Sequence, residues 1–239
     1  MFLKSMANAA VDALFPRICP ICNDIVPFGK GDVCPGCEHL LTYCEDPVCE
    51  KCGKPVDDGA RYCADCERLR HTYDEGRAAL IYDEYMSKSI YRFKYNGKRE
   101  FAPFYARVIT GRLADTIRGW NVEAIIPVPV HKSRLKKRGY NQAKLIAVEI
   151  SKVLGIPVRD DVVTRAFATD AQKMLGPAER QNNLKKAFKV TQNVVKLESV
   201  LIVDDIYTTG ATVDALASCL KGAGIKRVFF VSLCIGRGN

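Results

Sequence analysis

VLIVDDIYTTGAT, residues 200–212, runs a short apolar segment into two acids and then into a small, hydroxyl-rich turn. Val200 to Val203 read as a buried strand, with Asp204 and Asp205 standing where that strand is expected to end. Val213, Leu216, Ala217 and Leu220 follow at helical spacing, so Thr208, Thr209, Gly210, Ala211 and Thr212 form the loop and first turn of a helix. A helix N-terminus offers unpaired N–H groups and a positive dipole end, glycine lets the backbone come close, and threonine hydroxyls add donors. The segment therefore reads as an anion site with acidic neighbours. Its carboxylates are acceptors suited to ribose hydroxyls or to a hydrated magnesium ion. The plainer alternative is an ordinary turn with solvated acids, but turn propensity alone does not call for paired acids against Thr-Thr-Gly-x-Thr.

Strands and helices alternate upstream of this segment. Arg77 to Tyr82 reads as a strand, Tyr85 to Tyr95 as a helix closed by Asn96-Gly97, and Phe101 to Arg118 as a second helix with Pro103 in its first turn. Val122 to Val130 is a strand, followed by the basic loop HKSRLKKRGYNQA and a helix with Ala143, Ile146, Ala147, Ile150, Val153 and Leu154 on one face. Arg165 to Asn183 reads as a long loop. Ala187 to Val190 and Val228 to Leu233 supply further strands. Such alternation implies an α/β fold, a mostly parallel sheet covered on both faces, with ligands at the C-terminal strand ends. Residues 71–239 are expected to form this domain, and residues 1–70 a separate cysteine-rich one led by an amphipathic helix.

Nine of the eleven cysteines precede residue 67. They include four C-x-x-C knuckles: Cys19 and Cys22, Cys34 and Cys37, Cys49 and Cys52, Cys63 and Cys66. Two knuckles complete a closed tetrahedral zinc site, and no secretory signal points to disulfides instead. Gaps of 11, 11 and 10 residues between successive knuckles leave the pairing open. Sequential pairing is the expectation, giving two structural zinc ions. Cys44 is a spare ligand or a buried thiol, while Cys219 and Cys234 read as core.

The chain has 239 residues, is 48% hydrophobic and carries a formal charge of +9, which excludes a disordered chain. Residues 1–66 hold six basic and ten acidic residues, a balance of −4, which leaves +13 for the remainder. Two four-thiolate zinc sites at about −2 each would lower the total to roughly +5. No apolar run approaches the roughly 18 residues of a membrane span. The basic-aromatic stretch KSIYRFKYNGKR, residues 88–99, could offer Tyr91, Phe93 and Tyr95 to nucleic acid. A helix burying its aromatic face is the preferred reading.

The acid-loop segment resembles the phosphoribosyl diphosphate (PRPP) signature of type I phosphoribosyltransferases. That resemblance implies that Asp204 and Asp205 meet the ribose hydroxyls and that Thr208, Thr209, Gly210, Ala211 and Thr212 hold the 5′-phosphate. It also implies a magnesium ion travelling with PRPP, and a diphosphate loop that would carry Lys132, Arg134, Lys136, Lys137 and Arg138. Tyr207 is bulkier than the aliphatic residue usual at its position. Thr208 stands where hypoxanthine-guanine relatives keep an aspartate, which argues against a 6-oxopurine acceptor.

Taken with FKYNGKREFAPF, IIPVPVHKSRLKKRGYNQA, TRAFATDAQKMLGPAERQNNLKKAF and the four knuckles, nearly the whole chain resembles the ComF family of competence proteins, also called ComFC or GntX-like. The resemblance implies a cytoplasmic protein of DNA uptake, working at the inner face of the membrane, with a DNA-uptake helicase as partner. It places Arg165, Gln172 and Arg180 in a loop that folds over PRPP, and leaves Lys94, Tyr140, Asn141 and Gln142 without functional roles, the plain reading being that Asn141 caps the following helix and Tyr140 packs against it. No catalytic base is identified, and His39, His71 and His131 form no catalytic arrangement. Two functions stay open: a PRPP-dependent transferase, or an accessory protein that binds a nucleotide or single-stranded DNA without turnover.

Overall fold

The apolar run at 200–203 lies at the middle of a four-stranded parallel sheet. The computed structural model describes residues 16–27, 29, 31–166, 187–191 and 197–237. The sheet holds β1 (Glu75–Ile81), β2 (Ala124–Pro127), β5 (Ser199–Tyr207) and β6 (Arg227–Ile235) in the order β1-β6-β5-β2. A two-stranded antiparallel ribbon, β3 (Val163–Arg165) with β4 (Phe188–Val190), stands apart from it. The helices are α1 (Ala64–Arg68), α2 (Glu84–Tyr95), α3 (Ala102–Gly119), α4 (Lys132–Arg138), α5 (Gln142–Leu154) and α6 (Ala211–Gly222).

Val200, Leu201, Ile202 and Val203 are each 0% exposed, which is why four consecutive apolar residues are needed there rather than an alternating pattern. Each such side chain contributes about 1.5–3 kcal/mol relative to exposure, which selects a central position over an edge. Leu201 and Val203 share a core with Met86, Ile90 and Phe93 of α2, Tyr105 and Ile109 of α3, and Ile146 and Ile150 of α5. Val200 and Ile202 share the opposite one with Val213, Leu216 and Leu220 of α6. The period of two along the strand divides these layers.

The cysteine modules are built into both cores. Cys19, Ile21, Val26, Cys37 and Leu41 belong to the α2/α3 layer, while Cys49 and Cys52 belong to the α6 layer. Gly76 in β1 is required by this packing: a Cβ there would lie 1.9 Å from the Phe230 ring.

Several sequence expectations are corrected. Strand β5 does not end at the acids but pairs with β6 as far as Tyr207 opposite Ile235. On the other side the register of β2 stops at Pro127 opposite Val203, because the proline-rich segment after it cannot continue the ladder. The basic loop after β2 is partly helical: His131 caps α4, with its Nδ1 accepting from the Ser133 N–H at 3.2 Å, and Gly139 closes it at φ 79°. Lys, Leu and Arg are good helix formers, and they outweigh the charge density. Val153 is 54% exposed rather than core. Arg165 lies in β3 rather than in a loop. Gln172, Arg180 and the expected N-terminal helix before residue 16 fall outside the described residues. Among the described residues no helix is long and apolar enough to cross a membrane.

Candidate functional site

The mismatch between β2 and β6 creates the site. Past Val203, β5 is paired on one side only, so Asp204 and Asp205 border an opening beside the carboxyl end of β2. The Asp205 N–H donates to Asp204 Oδ1 at 2.9 Å. Asp205 is buried and its Oδ2 lies 2.8 Å from the Lys94 ammonium, which reaches over from α2. Burial pulls the Lys94 pKa down, but the Asp205 carboxylate outweighs that and holds it above its usual value. Asp204 keeps partial exposure, yet desolvation first and the Asp205 charge second push its pKa up to about 7, against opposing help from Lys94 and Arg165. The two acids thus divide the work. Asp205 is neutralised internally by Lys94, and Asp204 is left poised to ionise toward a ligand.

The loop beyond them has the expected anion-site form. Thr208 and Thr209 are exposed, Gly210 adopts φ 81° and caps α6, and Ala211 and Thr212 open that helix. A side chain at Gly210 would be strained by its φ and would meet Tyr207 Oη at 2.5 Å. The first turn of α6 therefore follows the strand that carries the acids, and its N–H groups and the positive end of its dipole are of the kind that can receive an anion.

Of the expected diphosphate residues, Arg134, Lys137 and Arg138 line a cleft of roughly 750 Å³ together with Tyr91, Lys94, Tyr95 and Gly97. Lys132 and Lys136 are exposed on α4 outside that lining. Arg138 donates to the side-chain oxygen of Gln142 and lies 5.3 Å over the Tyr95 ring. Arg165 sits with its guanidinium 5.5 Å over Phe188, close enough for its charge to reach Asp204. The aromatic stretch divides rather than burying as a whole: Phe93 is 0% exposed, whereas Tyr91 and Tyr95 are each 59% exposed with ring centroids 4.9 Å apart.

The helix cap expected of Asn141 is present, and other residues acquire roles here. Asn141 caps α5 by accepting from the Ala143 N–H at 3.0 Å, and its own amide donates to Val128 O at 3.0 Å, tying helix to strand end. Tyr140 donates to the Phe93 carbonyl beneath Lys94. His71 pairs with Asp214 at 2.6 Å, and Tyr207 shares a 2.7 Å hydrogen bond with Tyr73. Lys94, His71, Tyr73 and Asp214 were not assignable from sequence because each meets its partner only across the fold.

The cysteines group in sequence order. Cys19, Cys22, Cys34 and Cys37 have sulfurs within 4.8 Å of one another, as do Cys49, Cys52, Cys63 and Cys66. Tetrahedral bonds of about 2.3 Å to zinc require sulfurs about 3.7 Å apart. The separations of 3.3 Å for Cys22 to Cys34 and 3.6 Å for Cys52 to Cys63 fit that geometry. Burial tends to raise the Cys19 pKa, but the amides of Cys22 and Cys34 outweigh it and hold the thiol at about 7. Donation from the Cys52 and Cys66 thiols pulls Cys49 well below the usual range. The other thiols move the opposite way, burial raising Cys22, Cys34 and Cys37 to about 11 and the neighbouring Cys49 raising Cys52 and Cys66. It is therefore the clustering of the sulfurs that fits a metal, whose binding would release those protons. Cys44 joins neither group, and burial pushes its thiol up to about 12.

Comparison with known proteins finds two domain families in the chain. A double zinc ribbon domain family matches residues 10–67, and a phosphoribosyl transferase domain family matches residues 141–238. Together with the parallel sheet and the two four-cysteine sites, these matches bear out the expected fold class. Competence protein F of Haemophilus influenzae is 32% identical over 182 residues, covering 74% of this chain and 80% of that protein. DNA utilization protein YhgH of Salmonella typhi is 29% identical over 187 residues, covering 77% and 82%. Competence protein ComFC of Bacillus subtilis is 26% identical over 180 residues, covering 72% and 71%.

Proposed function

The chain belongs to the competence protein F family, and from that premise we propose that it serves DNA uptake through a PRPP-binding phosphoribosyltransferase site. The observation that carries this reading is the pair Asp204 and Asp205 beside the Gly210-capped helix, on a strand end left open by β2. In this reading the ribose hydroxyls donate to Asp204 and Asp205, and the 5′-phosphate accepts from the N–H groups and hydroxyls of Thr208 to Thr212. Arg134, Lys137 and Arg138 counter the diphosphate, and Arg165 approaches from β3. Lys94 holds Asp205 in place through its 2.8 Å ion pair. A magnesium ion, when bound with PRPP, supplies further charge neutralisation to the diphosphate. In the transfer itself, the bond from C1 to the diphosphate oxygen breaks with its electron pair leaving on diphosphate, and an acceptor lone pair forms the new bond to C1. The acceptor's proton passes to solvent, and electrostatic positioning supplies the catalysis.

Titration of the zinc-loaded protein with PRPP and magnesium tests the site. Saturable binding is expected, with diphosphate release once the right acceptor is present. No binding in the parent protein would sink the transferase reading, and binding without release across nucleobase, amine and nucleic-acid acceptors would leave a binding protein.

The exposed Tyr91 and Tyr95 pair favours a second role in the same setting, binding of single-stranded DNA across the α2/α4 cleft. Stacking is worth about 1–3 kcal/mol per base, and each phosphate neutralised adds about 0.7 to the logarithmic salt slope. Tyr95→Ala is expected to weaken binding roughly tenfold with the slope retained, while Arg134→Ala lowers the slope. Affinity independent of salt would remove this role.

The cysteine-rich domain, at −4 over residues 1–66, is proposed as a docking surface for a protein partner such as the uptake helicase, at the inner face of the membrane. Charge reversal at Glu45, Asp57 and Asp58, with zinc content unchanged, is expected to weaken that association at least fivefold in a pull-down titration. Undiminished capture would reject it.

A further inference from the structure

The phosphate loop is held at both ends by one short segment of chain, and that segment rests on the second four-cysteine site. On the near side of the loop, Tyr207 Oη meets Tyr73 Oη at 2.7 Å in a buried hydrogen bond, with the Tyr207 ring stacked 4.6 Å from Phe230. On the far side, in the first turn of α6, Asp214 accepts from the Thr72 N–H at 2.7 Å and pairs with His71 Nδ1 at 2.6 Å. The His71 ring stacks on Tyr73 at 4.9 Å, and its side chain is 1% exposed. Gly210 lies between these supports, where a Cβ would stand 2.5 Å from Tyr207 Oη and 3.1 Å from His71 Cε1.

Residues 71–73 are in turn fixed by the knuckle Cys49-Glu50-Lys51-Cys52. The Lys51 ammonium donates to the carbonyls of Tyr73 at 2.5 Å and Asp74 at 3.0 Å, and lies 5.2 Å over the Tyr73 ring. The Lys51 carbonyl accepts from the Gly76 N–H at 2.9 Å, and Cys49 and Cys52 pack in the same apolar core as Tyr73, Tyr207 and Val213. A knuckle keeps its shape only while its thiolates share an ion. The conformation of the loop is thereby linked to that of the metal site.

We infer that the second four-cysteine site positions the phosphate loop, with Tyr73 and His71 acting as positioning residues between knuckle and loop. Metal retention at Cys49, Cys52, Cys63 and Cys66 and anion binding at Thr208 to Thr212 then reinforce one another, because any coupling between two sites is reciprocal. The first four-cysteine site, in the opposite layer, takes no part in this path. The inference rests on the reading of Thr208 to Thr212 as the phosphate loop, and its test must separate the two.

The test uses the full-length, zinc-loaded protein and measures amide hydrogen exchange over residues 208–213, with residues 228–233 of the central strand as internal reference. Tyr73→Phe removes one hydroxyl and leaves Tyr207 Oη buried without its partner. Loop exchange is expected to rise about tenfold in that variant while the reference strand stays unchanged and two zinc ions are retained. Tyr73→Phe combined with Tyr207→Phe should recover part of the loss, since both polar groups are then gone. Measured relative to the reference strand, which reports the general loss of stability in either variant, Cys63→Ser should loosen the loop as Tyr73→Phe does, and Cys22→Ser, in the first site, should not.

PRPP affinity is measured alongside and is expected to fall about fivefold in Tyr73→Phe. Unchanged loop exchange in both Tyr73→Phe and Cys63→Ser would overturn the inference. Equal loosening of the loop relative to the reference strand by Cys22→Ser and Cys63→Ser would overturn it too, since neither site would then be specific to the loop. A loop that loosens as expected in a parent protein that binds no PRPP would uphold the coupling and reject the phosphoribosyl reading.

Discussion

Asp204→Asn is expected to weaken PRPP binding by at least about 100-fold, equivalent to ~2.7 kcal/mol. The change keeps the side chain's shape but removes the charge of the partly exposed acid, while the Lys94 ion pair with Asp205 stays in place. The parent protein should show a pH signature that the variant lacks. Burial and the Asp205 charge raise the Asp204 pKa to about 7, so below that value the group is protonated and offers one acceptor fewer. Affinity should rise with pH between about 6 and 7 and level off above, approaching tenfold per unit at the steepest part if one proton is displaced.

Folding stability responds to this group in the opposite sense. The stabilisation from a raised carboxyl pKa is fully present below its unfolded value near 4 and is lost as pH rises through about 7. Calorimetric titration at fixed magnesium across this range checks both points. Equal affinity in parent and variant, or a flat profile in the parent, would remove Asp204 from the site. Asp205→Asn should also abolish binding, but with a stability cost of up to about 3 kcal/mol, because it strands the largely enclosed Lys94 ammonium. The milder Asp204 variant is therefore the cleaner probe.

Loss of metal should have the second large effect, on the whole chain rather than on its N-terminal part alone. Cys19, Ile21 and Val26 pack with Phe93 and Tyr105, and Cys49 with Tyr73 and Leu216, so each module completes a face of the sheet. Cys37→Ser or Cys49→Ser is expected to cost at least ~4 kcal/mol, and at about 2–4 °C per kcal/mol the melting temperature should drop by ~10 °C or more. One cooperative transition should remain in the parent. Scanning calorimetry with metal analysis decides this. A sheet domain that melts within ~2 °C of the parent after both ions are stripped would show that the modules are independent appendages.

What was legible in the sequence followed from local spacing. Four buried apolar residues, two acids and Thr-Thr-Gly-x-Thr point to strand, acids and anion loop without help from the rest of the chain. Four C-x-x-C knuckles similarly imply two four-thiolate sites. The readings that failed concern groups whose state depends on distant neighbours. The basic stretch after β2 was read as a loop because charge runs usually are, yet His131 and Gly139 cap it into α4. The aromatics of α2 were expected to bury together. Residues 91 and 95 instead lie one turn apart on the solvent side, while Phe93 turns inward beneath Tyr140. Tyr207 looked only oversized, and its purpose appears once Tyr73 is seen across from it.

By itself, then, the sequence determined the succession of the four sheet strands and the longer helices, the parallel sheet, the acid-and-loop segment and the number of four-cysteine sites, because hydrophobic period, turn chemistry and ligand spacing act over a few residues. Only the tertiary structure decided that β2 stops short and opens the acids, that Lys94 neutralises Asp205 and leaves Asp204 poised, and that the two cysteine modules support opposite faces of the sheet. Those outcomes depend on strand register, desolvation and contacts between residues far apart in the chain, none of which is encoded at any single position.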